Sequence, residues 1–132
     1  MKNALYAYRK TEKMTLPQDA DANSVLLVVM DELVKAIEMF QNNIDNKLGN
    51  NEKKSRGFSK ALSIIYTLQI SLDLEKGGAV AGDLFQLYEF TRIHIIRDMR
   101  KGLINRSAEA LTSLKEIYDT WVVVNSPAPA NG

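Results

Sequence analysis

Apolar residues recur at helical spacing in four stretches of the chain. In the first, Leu26, Met30, Leu33, Ile37, Phe40 and Ile44 follow at steps of 4, 3, 4, 3 and 4, which sets all six on one stripe of a helix. Leu27 and Val34 widen the stripe, Pro17 with Asp19 or Asp21 suits its start, and the Asn-rich NKLGNN ends it. The spacing predicts a helix over about residues 20–46. A second pattern, Phe58, Leu62, Ile65, Gln69 and Leu72, begins near residue 52 and has Ala61, Ile64 and Leu68 on adjoining positions. A third comprises Val80, Leu84, Leu87, Tyr88, Ile95 and Met99, broadened by Phe85, Thr91 and Ile96 until Gly102 breaks it. Leu111, Leu114, Tyr118 and Trp121 form the fourth, with Asn105 or Ser107 as its cap. No segment alternates like a strand.

Four amphipathic helices of similar length, joined by short connections, fit an all-α fold, an antiparallel four-helix bundle. Ahead of them, Leu5, Tyr6, Tyr8, Met14 and Leu16 make residues 1–19 too apolar for a free tail, so this segment or a short helix within it is expected to pack on the bundle. Residues 1–124 read as a single domain, and the Pro-containing NSPAPANG, in which residues 125–132 lack large apolar side chains, as a disordered tail.

Composition narrows the function classes. Seventeen basic and sixteen acidic residues leave a net charge of +1 with no long run of one sign, so no electrostatic footprint for nucleic acid or anionic lipid stands out. The densest basic cluster, Lys53, Lys54 and Arg56 beside Glu52, reads as a solvated helix start. The absence of cysteine removes disulfides, thiolate metal sites and a cysteine nucleophile, and favours a reducing compartment. The longest apolar run, Val25 to Met30, is far short of the ~20 residues a membrane span needs, and the N-terminus lacks the apolar core of a signal peptide. A cytoplasmic protein without membrane insertion is expected.

One stretch invites an enzymatic reading. LEKGGAVAGDLF packs Gly77, Gly78 and Gly82 between two apolar stretches, and a glycine-rich turn opening a helix can bind phosphate. A dinucleotide fingerprint needs a strand before its glycines, however, and IIYTLQISLDLEK has helical period, while no GKS or GKT follows. The stretch is therefore expected to be a corner in which Gly77 or Gly78 supplies a left-handed residue ending the second helix, with Asp73 and Glu75 capping it or pairing with a base.

His94, the single histidine, excludes paired-His metal motifs, and with Asp98 four residues on it reads as an ordinary helical pair. Exposed helix carboxylates such as Asp31 and Glu32 carry no distinctive acid–base signal. No catalytic residue, cofactor or metal is expected, and the chain does not read as an enzyme.

LDLEKGGAVAGDLFQLYEF, residues 72–90, resembles the L-D-x-E-x-G-G-x-I/V-A-x-x-L-x-x-L-Y-x-Y/F core of the FliS family of flagellar secretion chaperones, with Leu72, Asp73, Glu75, Gly77, Gly78, Val80, Ala81, Leu84, Leu87, Tyr88 and Phe90 in place. Weaker likenesses flank it: Tyr8 followed by Thr15, Leu16 and Pro17, and a last helix with Leu114, Tyr118 and Trp121, so that about residues 4–122 are covered. The first long helix departs from the family's M-L-Y-D/E-G-A, for in VVMDELVKAI Met30 stands for the tyrosine and Glu32 for the glycine.

This resemblance implies a helical bundle that binds the C-terminal helical segment of flagellin in the cytoplasm, prevents premature polymerisation and helps deliver the subunit to the type III export apparatus, with export-gate components as further partners. Physically, a chaperone of this kind lends an apolar groove to a segment that is disordered when alone. Leu27, Val34 and Met39 on the first helix and Phe85, Phe90 and Ile96 on the third lie beside their main stripes as surplus apolar surface for a client. Leu5, Tyr6 and Tyr8 are expected to cover that surface until a client displaces them. Alternative classes are a non-catalytic helical regulator of a transcription regulator or second chaperone, and a bundle enzyme whose site assembles across helices.

Overall fold

Among the described residues, four helices form in the order the periodicity predicts. The structure, a computed structural model, describes residues 22–125: α1 spans Ala22–Asn42, α2 Asn51–Ser71, α3 Leu74–Lys101 and α4 Ser107–Asn125. Expectations for Leu5, Tyr6, Tyr8, Pro17, Asp19, Asp21 and the Pro-containing tail lie outside the described residues. Neighbours in the bundle are α1 with α2 and α4, and α3 with α2 and α4, and every adjacent pair is antiparallel. Cross-links fix the registers: Glu32 to Lys60 at 2.6 Å between α1 and α2, Glu38 to Lys115 at 3.1 Å between α1 and α4, and Gln69 to Glu89 at 3.1 Å between α2 and α3. The first two are half-exposed ion pairs, each worth at most ~1 kcal/mol, so they select register more than they stabilise.

Burial supplies the stability. Val25, Val29, Met30, Leu33, Ile37 and Phe40 on α1 are fully buried, facing Ala61, Ile64 and Ile65 on α2, Tyr88 and Ile95 on α3, and Leu114 on α4. On α1 the core face keeps Met30, Leu33, Ile37 and Phe40 of the predicted stripe, but Val25 and Val29 are buried where Leu26 is half-buried, and buried Ile44 lies past the helix end at Asn42. On α2 it is turned by one residue: Gly57, Ala61, Ile64, Ile65, Leu68 and Ser71 are buried, while Phe58, Leu62, Gln69 and Leu72 sit half-buried at its border. Gly57 accounts for part of the turn, because it lets α1 approach closely. A Cβ at Gly57 would stand 2.6 Å from the Ala36 carbonyl oxygen and 2.7 Å from the Phe40 nitrogen. Gly57→Ala is therefore expected to wedge α1 from α2 and cost roughly 1–3 kcal/mol, read as a lower urea midpoint at unchanged slope.

The ends of the helices are chemically specified. Asn50 caps α2 by accepting the Lys53 N–H at 2.9 Å. Lys54 is not solvated as the basic cluster suggested: it is buried, and its ammonium donates to Asn46 Oδ1 at 2.6 Å, closing the α1–α2 loop. Gly102 ends α3 in the left-handed conformation (φ 69°, ψ 21°) with its N–H on the Asp98 carbonyl. Neither Asn105 nor Ser107 caps α4 through its own side chain among the described residues. The capping oxygen is Asp98 Oδ2, which accepts from the Asn105 N–H at 2.8 Å and the Ser107 N–H at 3.2 Å, while the Ser107 hydroxyl accepts from Gln41 Nε2 at 3.0 Å.

His94 lies in the same corner, buried, with its ring centroid 4.3 Å from that of Phe90, which in turn lies under the Arg106 guanidinium. The His94–Asp98 pair is thus interior to the corner and not a surface pair. Burial, then repulsion from Arg106 and Arg97, holds the imidazole below its ordinary value of 6.5, against opposing pulls from Asp98 and Glu109. The sign follows from linkage: below about pH 6.5 the unfolded chain takes up a proton that the native state resists, so stability falls with pH until His94 itself titrates. Glu89, held down chiefly by its hydrogen bonds from Arg92 and Gln69, loses its contribution only below the ordinary value of 4.5. Urea midpoints are expected to drop between about pH 7 and 5.5, and His94→Gln to flatten that slope while leaving the steeper loss at acid pH.

Candidate functional site

The glycine-bearing corner differs from its expected form. The second helix stops at Ser71, where Leu72 turns extended (φ −72°, ψ 133°). Asp73 then starts a single new turn, its carboxylate accepting the Lys76 N–H at 3.0 Å. Gly78 has φ 55° and ψ −134°, outside any helical region, and kinks the chain before the long part of α3 begins. Gly77 is therefore not the residue that ends the second helix, and Gly78 takes a positive φ without the left-handed helical ψ of an ordinary C-terminal cap. The helix had already ended because Leu72 and Asp73 leave it, Asp73 offering its side chain to a new N-terminus. Glu75 lies in that first turn, where a carboxylate complements the helix dipole.

This geometry lifts residues 73–80 clear of the bundle, all of them exposed. Leu74 is 54% and Val80 69% exposed, so Val80, expected on the main stripe of the third helix, lies outside the core. Ala81 is the first buried residue of α3 beyond the kink.

Behind the raised turn runs an apolar groove of three adjoining lobes. One of about 420 Å³ lies along Leu72, Asp73, Lys76, Gly77, Val80, Ala81 and Leu84. A narrower one of about 140 Å³ dips between Leu26, Leu68, Ser71, Leu72, Leu84, Tyr88 and Trp121. The third, about 250 Å³, opens towards α4 along Val80, Asp83, Leu84, Ile117 and Trp121. Leu84 lines all three. Charge is confined to the outer lobes, on Asp73, Lys76 and Asp83, and the polar side-chain groups of the residues lining the central lobe are the Ser71 and Tyr88 hydroxyls and the Trp121 indole N–H. The Ser71 hydroxyl is already spent on the Thr67 carbonyl at 2.7 Å.

Tyr88 is buried, its hydroxyl 3.6 Å from Met30 Sδ, and desolvation raises its pKa so far that the phenol stays neutral. It closes the floor of the groove. Both departures from the family pattern in α1 have partners here: Met30 takes the Tyr88 hydroxyl as a weak sulfur acceptor, and Glu32 pairs with Lys60. The wall can hold an apolar helix or loop, and it brings no acid–base pair together. Among the described residues no three His, Asp or Glu side chains are grouped to hold a metal ion, and no helix is long and apolar enough to cross a membrane.

The sequence-expected client residues lie elsewhere. Val34 is buried in the core, so it is not surplus surface. Leu27 and Met39 on α1 and Phe85, Phe90 and Ile96 on α3 are half-buried, and none of them lines the groove. The groove residues were present in the sequence as the signature itself: Leu72, Val80, Leu84 and Tyr88 belong to the 72–90 motif. They read as corner and core because their place along the groove follows from the break at Leu72–Asp73 and the Gly78 kink.

Comparison with known proteins bears on this motif. The family described as "Flagellar protein FliS" matches residues 1–128. The protein named "Flagellar secretion chaperone FliS" of Vibrio cholerae serotype O1 (strain ATCC 39315 / El Tor Inaba N16961) is 30% identical over 122 residues, covering 92% of this chain and 88% of that protein. Matched along nearly its whole length and carrying the groove on its signature residues, this chain belongs to the FliS family.

Proposed function

We propose that this protein is a non-catalytic flagellar secretion chaperone that receives the C-terminal helical segment of flagellin in the Leu72–Trp121 groove. The groove's make-up carries the reading: three connected lobes share Leu84, charge stays off the central one, and the raised turn adds exposed Val80 beside exposed Leu74. An amphipathic segment laid there buries the face by which flagellin subunits would polymerise, which is how a bundle without a nucleotide site holds a client in the cytoplasm before export. Half-buried Leu27, Met39, Phe85, Phe90 and Ile96 are the side chains onto which a longer client segment would extend. Leu5, Tyr6 and Tyr8 would cover apolar surface before the client arrives, and removal of residues 1–16 is then expected to raise client affinity.

Calorimetric titration with a peptide of flagellin's C-terminal helix tests the reading. Micromolar or tighter binding with a negative heat-capacity change is expected. Flat heats at several temperatures would rule the groove out as its receptor.

A further inference from the structure

The end of the bundle opposite the groove carries a second apolar surface. The α1–α2 loop presents Leu48 at 91% exposure, and the α3–α4 loop presents Leu103 at 67% and Ile104 at 45%. These loops adjoin: the position of a Gly102 Cβ is 3.5 Å from Asn46 Nδ2. Both are held in shape. Asp45 Oδ1 accepts the Lys47 and Leu48 N–H groups at 2.8 Å each, and Asp98 holds the N–H groups of Gly102, Asn105 and Ser107. A lone exposed leucine needs no explanation, but three aliphatic side chains on two touching, fixed turns do.

Charge surrounds them unevenly. Lys47, Lys53, Arg97, Arg100 and Lys101 are exposed, and none is ion-paired among the described residues. The carboxylates of this end are engaged: Glu52 with Arg56, Glu109 with Arg106, Asp45 and Asp98 on backbone N–H groups. The helix dipole accounts for Arg100 and Lys101 in the last turn of α3 but disfavours Lys53 in the first turn of α2. A chain of net charge +1 thus gathers unpaired positive charge around an apolar centre.

We propose that this end is a second docking surface for an acidic amphipathic protein segment, aliphatic residues set among aspartates and glutamates, separate from the groove and open while the groove is filled. Complementary charge would steer the encounter and the aliphatic centre would hold it. Nucleic acid would meet aliphatic groups where it needs polar ones, and two clamped turns do not form the continuous amphipathic helix that lies in a bilayer interface.

The test uses the full chain and a fluorescein-labelled peptide in which leucines alternate with pairs of glutamates. Anisotropy is expected to show micromolar binding that weakens at least threefold from about 50 to 300 mM NaCl. Peptides with lysine for glutamate or serine for leucine should bind at least about tenfold more weakly. Leu48→Ser/Leu103→Ser and Arg100→Glu/Lys101→Glu should each cost at least about fivefold without altering binding of the flagellin peptide, the leucine pair at unchanged thermal midpoint and the charge reversal with only the modest fall that unfavourable helix-dipole contacts bring. Equal binding of the lysine peptide, or indifference to both double variants, would overturn the proposal. So would tighter binding, through these same residues, of phosphatidylserine vesicles or single-stranded DNA. Because the flagellin peptide reports on the groove alone, failure here and failure of the chaperone reading are distinguishable.

Discussion

Asp98→Ala is expected to destabilise the fold by roughly 3 kcal/mol, the largest loss from a single polar side chain here. Asp98 is 2% exposed, and one of its oxygens accepts both the Asn105 and the Ser107 N–H. Ser107 is fully buried, so its amide has no route to water once the carboxylate is gone. Hydrogen bonds to a charged acceptor contribute ~1.5–3 kcal/mol each, and a buried unsatisfied donor costs a similar amount. Against a total of ~5–15 kcal/mol this is a large fraction, equivalent to a fall of roughly 10 °C in thermal midpoint. Asp98→Asn separates geometry from charge. Since both donors share one oxygen, an amide oxygen in that place keeps both bonds, and the expected cost is nearer ~1 kcal/mol, from the lost charge at the N-terminus of α4. An alanine variant within ~0.5 kcal/mol of the parent in urea unfolding would show that water replaces the carboxylate and that the corner is looser than its geometry implies.

What was legible in the sequence divides along physical lines. The stripe of α1 was readable because branched and aromatic side chains mark every buried turn. On α2 the buried face turned by one residue, since Gly57, Ala61 and Ser71 are small residues on that face, with Gly57 tight against α1, and lack the hydropathy that periodicity detects. The end of α3 was marked by Gly102, whereas α1 stops at Asn42, ahead of the NKLGNN stretch expected to end it, and the cap of α4 was hidden. It comes from Asp98, seven and nine residues before the amides it holds, and a buried helix aspartate is spelled like an exposed one. The groove was hidden for a related reason. Leu72, Val80 and Leu84 have the spacing of core residues, and only the break at Leu72–Asp73 together with the Gly78 kink turns their shared face outward. The basic end escaped notice because its cations come from separate stretches of chain, between Lys47 and Lys101, that only the fold brings together.

Leu84→Asn is expected to weaken binding of the flagellin C-terminal peptide by roughly 30- to 100-fold, or ~2–3 kcal/mol. Leu84 is the side chain that all three lobes of the groove share, so a client laid along the groove in any orientation passes over it. An amide there must be desolvated against an apolar client in a lobe lined mainly by apolar side chains, where the Ser71 hydroxyl is already bonded to Thr67. Because Leu84 is half-buried, the same change should also cost ~1–2 kcal/mol of stability, and a second variant isolates recognition from folding. Val80→Ser alters an exposed residue of the raised turn and should leave stability within ~0.5 kcal/mol while weakening the peptide three- to tenfold. Leu103→Ser, at the opposite end of the bundle, should leave peptide affinity unchanged. If Leu84→Asn and Val80→Ser bound the peptide as the parent does, flagellin's segment would have to sit on another face, and the outward turn of residues 73–80 would need a different occupant.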